Sequence, residues 1–115
     1  MKPEIGRPIP QELGSVHFIG VAGSGMSGIA RVLKEKGLSV TGSDRADSEV
    51  AASLRDAGIP VFIGHDATQV GPADTVVVSS AVRDNNPELM EAKSRALQIL
   101  HRSEALRWIM QSKTV

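Results

Sequence analysis

The chain has 115 residues, 41% of them hydrophobic, with thirteen basic and thirteen acidic side chains and no cysteine. That length supports one core, and the missing cysteines exclude a disulfide scaffold or a cysteine-built metal site. Zero net charge and only three aromatic residues, Phe18, Phe62 and Trp108, leave nucleic acid without its usual electrostatic and stacking routes. No apolar run approaches the ~20 residues that span a bilayer, and residues 1–11 lack the apolar stretch of a signal peptide. A cytoplasmic domain with neither a membrane nor a nucleic-acid partner is the expectation.

Residues 1–14, with Pro3, Pro8 and Pro10 among polar neighbours, read as a mobile N-terminal arm ahead of a folded unit over 15–115. Val16–Val21 is a buried-strand run, followed by a glycine-rich turn. Met26, Ile29, Ala30 and Leu33 then repeat at helical spacing over 26–36, with Gly37 placed as a C-cap. A second strand is expected over 38–42, a helix over 48–57 stopped by Gly58, and a third strand over 59–63 with Pro60 near its start. Residues 74–79, with Val76-Val77-Val78 apolar on both faces, form a fourth strand and the expected middle of the sheet. Asn86-Pro87-Glu88 starts the next helix: an asparagine N-cap, a proline at N1 and a glutamate suited to the positive helix end. A short strand over 98–100 and a helix over 103–110 close the chain. Alternating strands and helices imply an α/β fold, a Rossmann-like three-layer αβα domain with a parallel sheet of about five strands.

Gly23-Ser24-Gly25-Met26-Ser27-Gly28 is a G-x-G-x-x-G between a predicted strand and a predicted helix. In such a turn Gly23 permits the tight bend, Gly25 lets a pyrophosphate approach the backbone, and Gly28 lets the helix pack against the strand. Backbone N–H groups and the helix dipole then make an anion site without a basic side chain. Asp44 follows Gly23 by 21 residues, near the separation of about 20 at which a carboxylate meets a ribose. The alternative role for Ser43 or Asp44 is to cap the following helix. Ser79-Ser80-Ala81 ends the fourth strand on the same edge, leaving room for a ligand or forming a simple turn. His65 and His101 also fall on that edge, whereas His17 lies within the first strand as a structural residue. The three histidines form no metal set by spacing, and no G-x-S-x-G elbow supports a hydrolase triad. No Gly-Lys dipeptide occurs, so the chain has no G-x-x-x-x-G-K-[ST] loop, and no acidic cluster stands near the glycine loop to hold magnesium.

The run His17-Phe18-Ile19-Gly20-Val21-Ala22-Gly23-Ser24-Gly25-Met26-Ser27-Gly28-Ile29-Ala30 closely resembles the opening H-F-I-G-I-G-G-x-G-M-S-G-I-A of the UDP-N-acetylmuramate–L-alanine ligases. Gly42-Ser43-Asp44, Ser79-Ser80-Ala81-Val82, Asn86-Pro87-Glu88 and Arg102-Ser103-Glu104-Ala105-Leu106 match in order, and the resemblance spans about 16–110. Val21-Ala22 stands where the family has Ile-Gly. The resemblance implies a first domain that holds the UDP part of UDP-N-acetylmuramic acid, with central ATP-binding and C-terminal domains absent here. Ala22, Gly23, Ser24, Gly25, Met26 and Ser27 would hold the diphosphate, and Ser43 and Asp44 the ribose. His65, Ser79, Ser80 and Ala81 would line the uracil and sugar side. It implies no catalytic residue and no metal or cofactor in this chain; ATP and magnesium belong to the full-length enzyme. Other readings of the same residues are an NAD(H)-sensing regulatory domain, a dehydrogenase cofactor domain, or the first domain of the murein tripeptide recycling ligase.

Overall fold

The computed structural model describes residues 10–112, so the expected arm lies outside it as far as residue 9. The rest of that arm is packed. Leu13 is fully buried, its carbonyl accepts Thr75 Oγ1 at 2.6 Å, and the Gln11 carbonyl accepts Trp108 Nε1 at 3.2 Å. The described chain is thus packed already at Gln11 and Leu13, where the apolar Leu13 has a core to fill.

Five strands and four helices alternate: β1 Val16–Ile19, α1 Met26–Glu35, β2 Val40–Asp44, α2 Glu49–Asp56, β3 Val61–Ile63, β4 Thr75–Val78, α3 Pro87–Ser94, β5 Gln98–His101 and α4 Arg102–Ser112. A 3-10 turn over Ala67–Val70, which no sequence signal marked, joins β3 to β4. The sheet is wholly parallel in the order β3-β2-β1-β4-β5, the Rossmann-like arrangement expected. Its middle is β1 and not β4. The chain winds outward from β1 to β3, then returns to the other side of β1. The triple-valine run of β4 is buried because β1 and β5 pair with it and helices cover both faces.

Strand parity divides the interior. Val16, Phe18 and Val77 point to the face covered by α1, α2 and α4, where Ile29, Leu33, Leu54 and Ile109 pack. Ile19, Val76 and Val78 point to the other face, against Leu89 and Ala92 of α3 and Val70 of the 3-10 turn. Each fully buried leucine contributes roughly 1.5–3 kcal/mol. The second face has one helix and one short turn as cover, which leaves a cleft at its carboxyl edge.

Three helices end in the same Schellman motif. Gly37, Gly58 and Ala96 each occupy the left-handed position, and the next residue donates its N–H back across the last turn, as in Leu38 to Leu33 and Leu97 to Ala92. Alanine at φ 55° carries the strain that glycine avoids at the other two. Gly28 is the reverse case. It is exposed within α1, and a Cβ there meets nothing within 4 Å, so it does not serve close helix–strand packing. Ala96→Gly and Gly28→Ala should each stabilise the chain by roughly 0.5–1 kcal/mol. A urea midpoint that rises with an unchanged slope is the expected reading; a fall in either would show that these positions are constrained by something else.

Candidate functional site

The cleft lies over the carboxyl ends of β1 and β4, where the strand order reverses, the place at which open parallel sheets bind ligands. Its volume is about 640 Å³, and its lining includes Gly20, Gly23, Asp44, His65, Ser79 and Ala81. Arg45 and Arg83 stand exposed at its rim.

The loop from β1 to α1 is shaped by close contacts with β2. The N–H groups of Gly20 and Val21 both donate to the Ser43 carbonyl, at 2.8 and 2.9 Å. Val21 then lies against Gly42, where a Cβ would come within 2.5 Å of the valine Cβ. Gly42, to which the sequence assigned no role, is thus the glycine on which the loop's seat depends. Asp44 Oδ2 accepts the Ala22 N–H at 3.1 Å, and Oδ1 accepts the Arg45 N–H at 2.9 Å. Among the described residues only Ala96 has a positive φ without being glycine, so Ala22 fits the turn without left-handed strain. Asp44 does not cap α2. Ser48 does, its Oγ accepting the Ala51 N–H at 3.1 Å.

Helix α1 is built differently from α2 and α3. Its N-cap is Gly25 at φ 78°, with no side-chain cap and no acid in the first turn, whereas Ser48 and Asn86 cap the others. An uncapped helix start presents N–H donors and the positive dipole end to an anion. Over it lies a basic side chain: Arg102, at the start of α4, donates through one guanidinium nitrogen to the Ser24 carbonyl at 3.2 Å. A Cβ at Gly25 would fall 2.6 Å from that nitrogen. The sequence reading placed no basic side chain here; Arg102 reaches the glycine loop because α4 returns across the sheet to it. Arg102 was visible in the sequence only as part of a matching segment.

Of the expected site residues, Gly23, Asp44, His65, Ser79 and Ala81 line the cleft, whereas Ala22, Ser24, Gly25, Met26, Ser27, Ser43 and Ser80 are not in its lining. Met26 is buried in the core, and its N–H is taken by the Gly23 carbonyl at 3.0 Å. Ser27 is half-buried in the first turn of α1. Ser80 is outside the cleft lining and paired with His101 at 2.9 Å. In that pair His101 Nδ1 accepts the Ser103 N–H at 3.1 Å, so the neutral ring carries its proton on Nε2 and donates to Ser80. Burial first, and then Arg102, lower the pKa of His101, which keeps it neutral. This pair cannot act as a nucleophile and base, since the histidine nitrogen facing Ser80 is already protonated.

Ser43 is fully buried beneath the cleft in a polar network absent from the sequence reading. Its Oγ donates to Glu88 Oε2 at 2.8 Å, as does His65 Nδ1 at 2.5 Å. His17 Nε2 donates to Glu88 Oε1 at 2.5 Å, and its Nδ1 meets Thr41 Oγ1 at 2.7 Å. His17 and Glu88 are both 0% exposed. Glu88 is thus no surface carboxylate serving the helix dipole; Asn86 caps α3, and the glutamate turns inward. The signal available in sequence was a histidine inside a buried strand, which must find a partner.

With this geometry in view, comparison with known proteins becomes specific. Residues 15–114 match the Mur ligase family, catalytic domain, and the chain belongs to that family. It is 50% identical over 111 residues to a UDP-N-acetylmuramate–L-alanine ligase of Clavibacter michiganensis, covering 96% of this chain and 23% of the relative. Over 95 residues it is 59% identical to the enzyme of that name from Thermobifida fusca, covering 83% and 20%. The crystal structure of the Thermotoga maritima UDP-N-acetylmuramate-alanine ligase superposes with a TM-score of 0.82 at 36% identity, covering 85% of this chain and 23% of that one. The chain spans about a quarter of these relatives or less.

Burial raises the pKa of Glu88, but the hydrogen bonds from His17, His65 and Ser43 outweigh it and leave the value below that of an ordinary glutamate. A depressed carboxylate contributes stability that is present above its unfolded value and is lost as pH falls through its native one. Acid denaturation should therefore begin below the ordinary glutamate value of 4.5. Glu88→Gln should remove that part of the acid limb. An unaltered acid profile in the variant would show that Glu88 titrates alike in both states.

Proposed function

We propose that this chain is the UDP-N-acetylmuramic acid-binding domain of an ATP-dependent UDP-N-acetylmuramate–L-alanine ligase, the enzyme class that adds the first amino acid in peptidoglycan synthesis. The observation that carries the reading is the convergence in one cleft of a glycine loop before an uncapped helix, a carboxylate on β2 and a histidine after β3. Relatives of that name, matching at about half identity, support it.

In this reading the diphosphate takes the exposed N–H groups of the loop and the start of α1, with Arg102 supplying positive charge beside Gly25. Asp44 accepts from ribose hydroxyls with the lone pairs that Ala22 and Arg45 leave free. His65, Ser79 and Ala81 line the rest of the cleft, beside the uracil and sugar. Binding and orientation are this domain's contribution. The L-alanine and ATP sites, with their magnesium, belong to central and C-terminal domains, since this sequence has no Gly-Lys dipeptide and hence no lysine-bearing phosphate loop. The work would be cytoplasmic, where the nucleotide sugar and ATP are supplied.

Ligand choice tests the proposal. At a Kd of about 10 µM, about 1 mM UDP-N-acetylmuramic acid should stabilise the chain by roughly 2.7 kcal/mol, and NAD should give no comparable rise in Tm. Asp44→Ala should weaken the UDP-sugar by roughly ten- to a hundred-fold and inorganic pyrophosphate by clearly less, the smaller loss coming from the freed Ala22 N–H. The chain alone should form no ADP from ATP. A larger shift with NAD, or equal loss of both ligands in the variant, would overturn the assignment.

A further inference from the structure

His65 has two ring nitrogens with different surroundings. Nδ1 is turned inward to Glu88, and the opposite edge, bearing Nε2, is left for the cleft that His65 lines with 24% of its side chain exposed. Which nitrogen carries the proton decides what a ligand meets there. In the neutral ring, a proton on Nδ1 makes Nε2 an acceptor, whereas a proton on Nε2 makes it a donor.

Donor counting settles the choice. An ionised carboxylate only accepts, and three groups converge on Glu88: His17 Nε2 at one oxygen, His65 Nδ1 and Ser43 Oγ at the other. Each must therefore donate. The carboxylate itself is held in place, with both oxygens engaged and its own N–H donating to Asn86 Oδ1 at 2.9 Å. His17 is fixed in turn, since Thr41 Oγ1 lies 2.7 Å from its remaining nitrogen. The series runs from the centre of the sheet, through α3, to the cleft wall.

We propose that Glu88 is a positioning residue that holds His65 in the Nδ1–H form, so that the cleft presents an acceptor at Nε2 and selects a ligand hydroxyl or amide N–H over a phosphate oxygen. The identity of the ligand rests on the UDP-sugar reading; the state of the ring does not. On that reading His65 adds to the affinity for the nucleoside or sugar part and nothing to the affinity for the diphosphate. The competing view is that Glu88 only neutralises a buried histidine at position 17, with His65 an onlooker.

The test uses the whole chain labelled with 15N, and the ring nitrogens of His65 are identified by their loss in His65→Gln. At pH 8 the wild-type ring should show a protonated Nδ1 and a bare Nε2. A ring protonated at Nε2 would overturn the proposal without any variant at position 88. Glu88→Gln then supplies the perturbation. Its amide has two N–H donors, and only the side facing His65 and Ser43 offers two partners, so His65 Nδ1 must become an acceptor. The expected result is a switch of His65 toward Nε2–H, at least tenfold weaker binding of UDP by calorimetry, and pyrophosphate binding within twofold of wild type. A folded Glu88→Gln that keeps both the Nδ1–H ring and its UDP affinity would overturn the proposal. Should this variant fail to fold, the wild-type ring measurement decides alone. Wild-type protein that shows the Nδ1–H ring yet binds no UDP would sink the functional reading and leave the positioning role intact.

Discussion

A buried carboxylate must be met by donors, and the need to satisfy Glu88 organises the open half of this domain. His17 comes from the central strand, Ser43 from β2 and His65 from the loop after β3, so a single side chain on α3 ties three successive units of the sheet together. The face of the sheet covered by α3 is thinly layered, with one helix and one short turn over it. The apolar cluster there is smaller than on the face covered by three helices, and the polar network adds fixed partners across it. Removing one member of such a group strands the others and costs several kcal/mol, which makes the arrangement all-or-none.

The same network joins folding to recognition. Ser43 contributes its hydroxyl to Glu88 and its carbonyl to the N–H groups of Gly20 and Val21, so the seat of the glycine loop and the floor of the cleft are set by one residue. Asp44, next in the chain, holds the Ala22 N–H from the cleft side. An anion approaching the start of α1 thus meets a loop fixed before the ligand arrives. Preorganisation of this kind reduces the ordering that binding would otherwise require.

Much of this was legible in the sequence. Short apolar runs marked the strands and 3.6-residue spacing the helices, because the central strands are buried on both faces and each helix on one, and the glycine loop with Asp44 pointed to the edge where the cleft lies. What was missed has a common physical cause: contacts between residues far apart in the chain. Arg102 reaches the loop only because α4 returns to it, and Glu88 looks like a helix-start acid until α3 is laid on β1. Parity could not tell that Ser43 faces inward while Asp44 opens to the cleft. The glycine pattern also misled at one place. Gly28 fits the fingerprint yet faces open space, while Gly42, outside it, is the position where a Cβ cannot fit.

The central claim is that a UDP-sugar lies across the carboxyl ends of β1, β2 and β4, between the glycine loop and His65. Backbone amide shifts followed by NMR during titration of the chain with UDP-N-acetylmuramic acid test it most directly. The largest changes should fall on Ala22–Gly25, Asp44–Arg45, His65 and Ser79–Ala81, with little on the far ends of the strands near Ser15, Ser39 and Asp74. Saturable changes centred instead on the apolar groove between α1 and α4, around Val32, Leu106 and Met110, or none in the glycine loop, would contradict it.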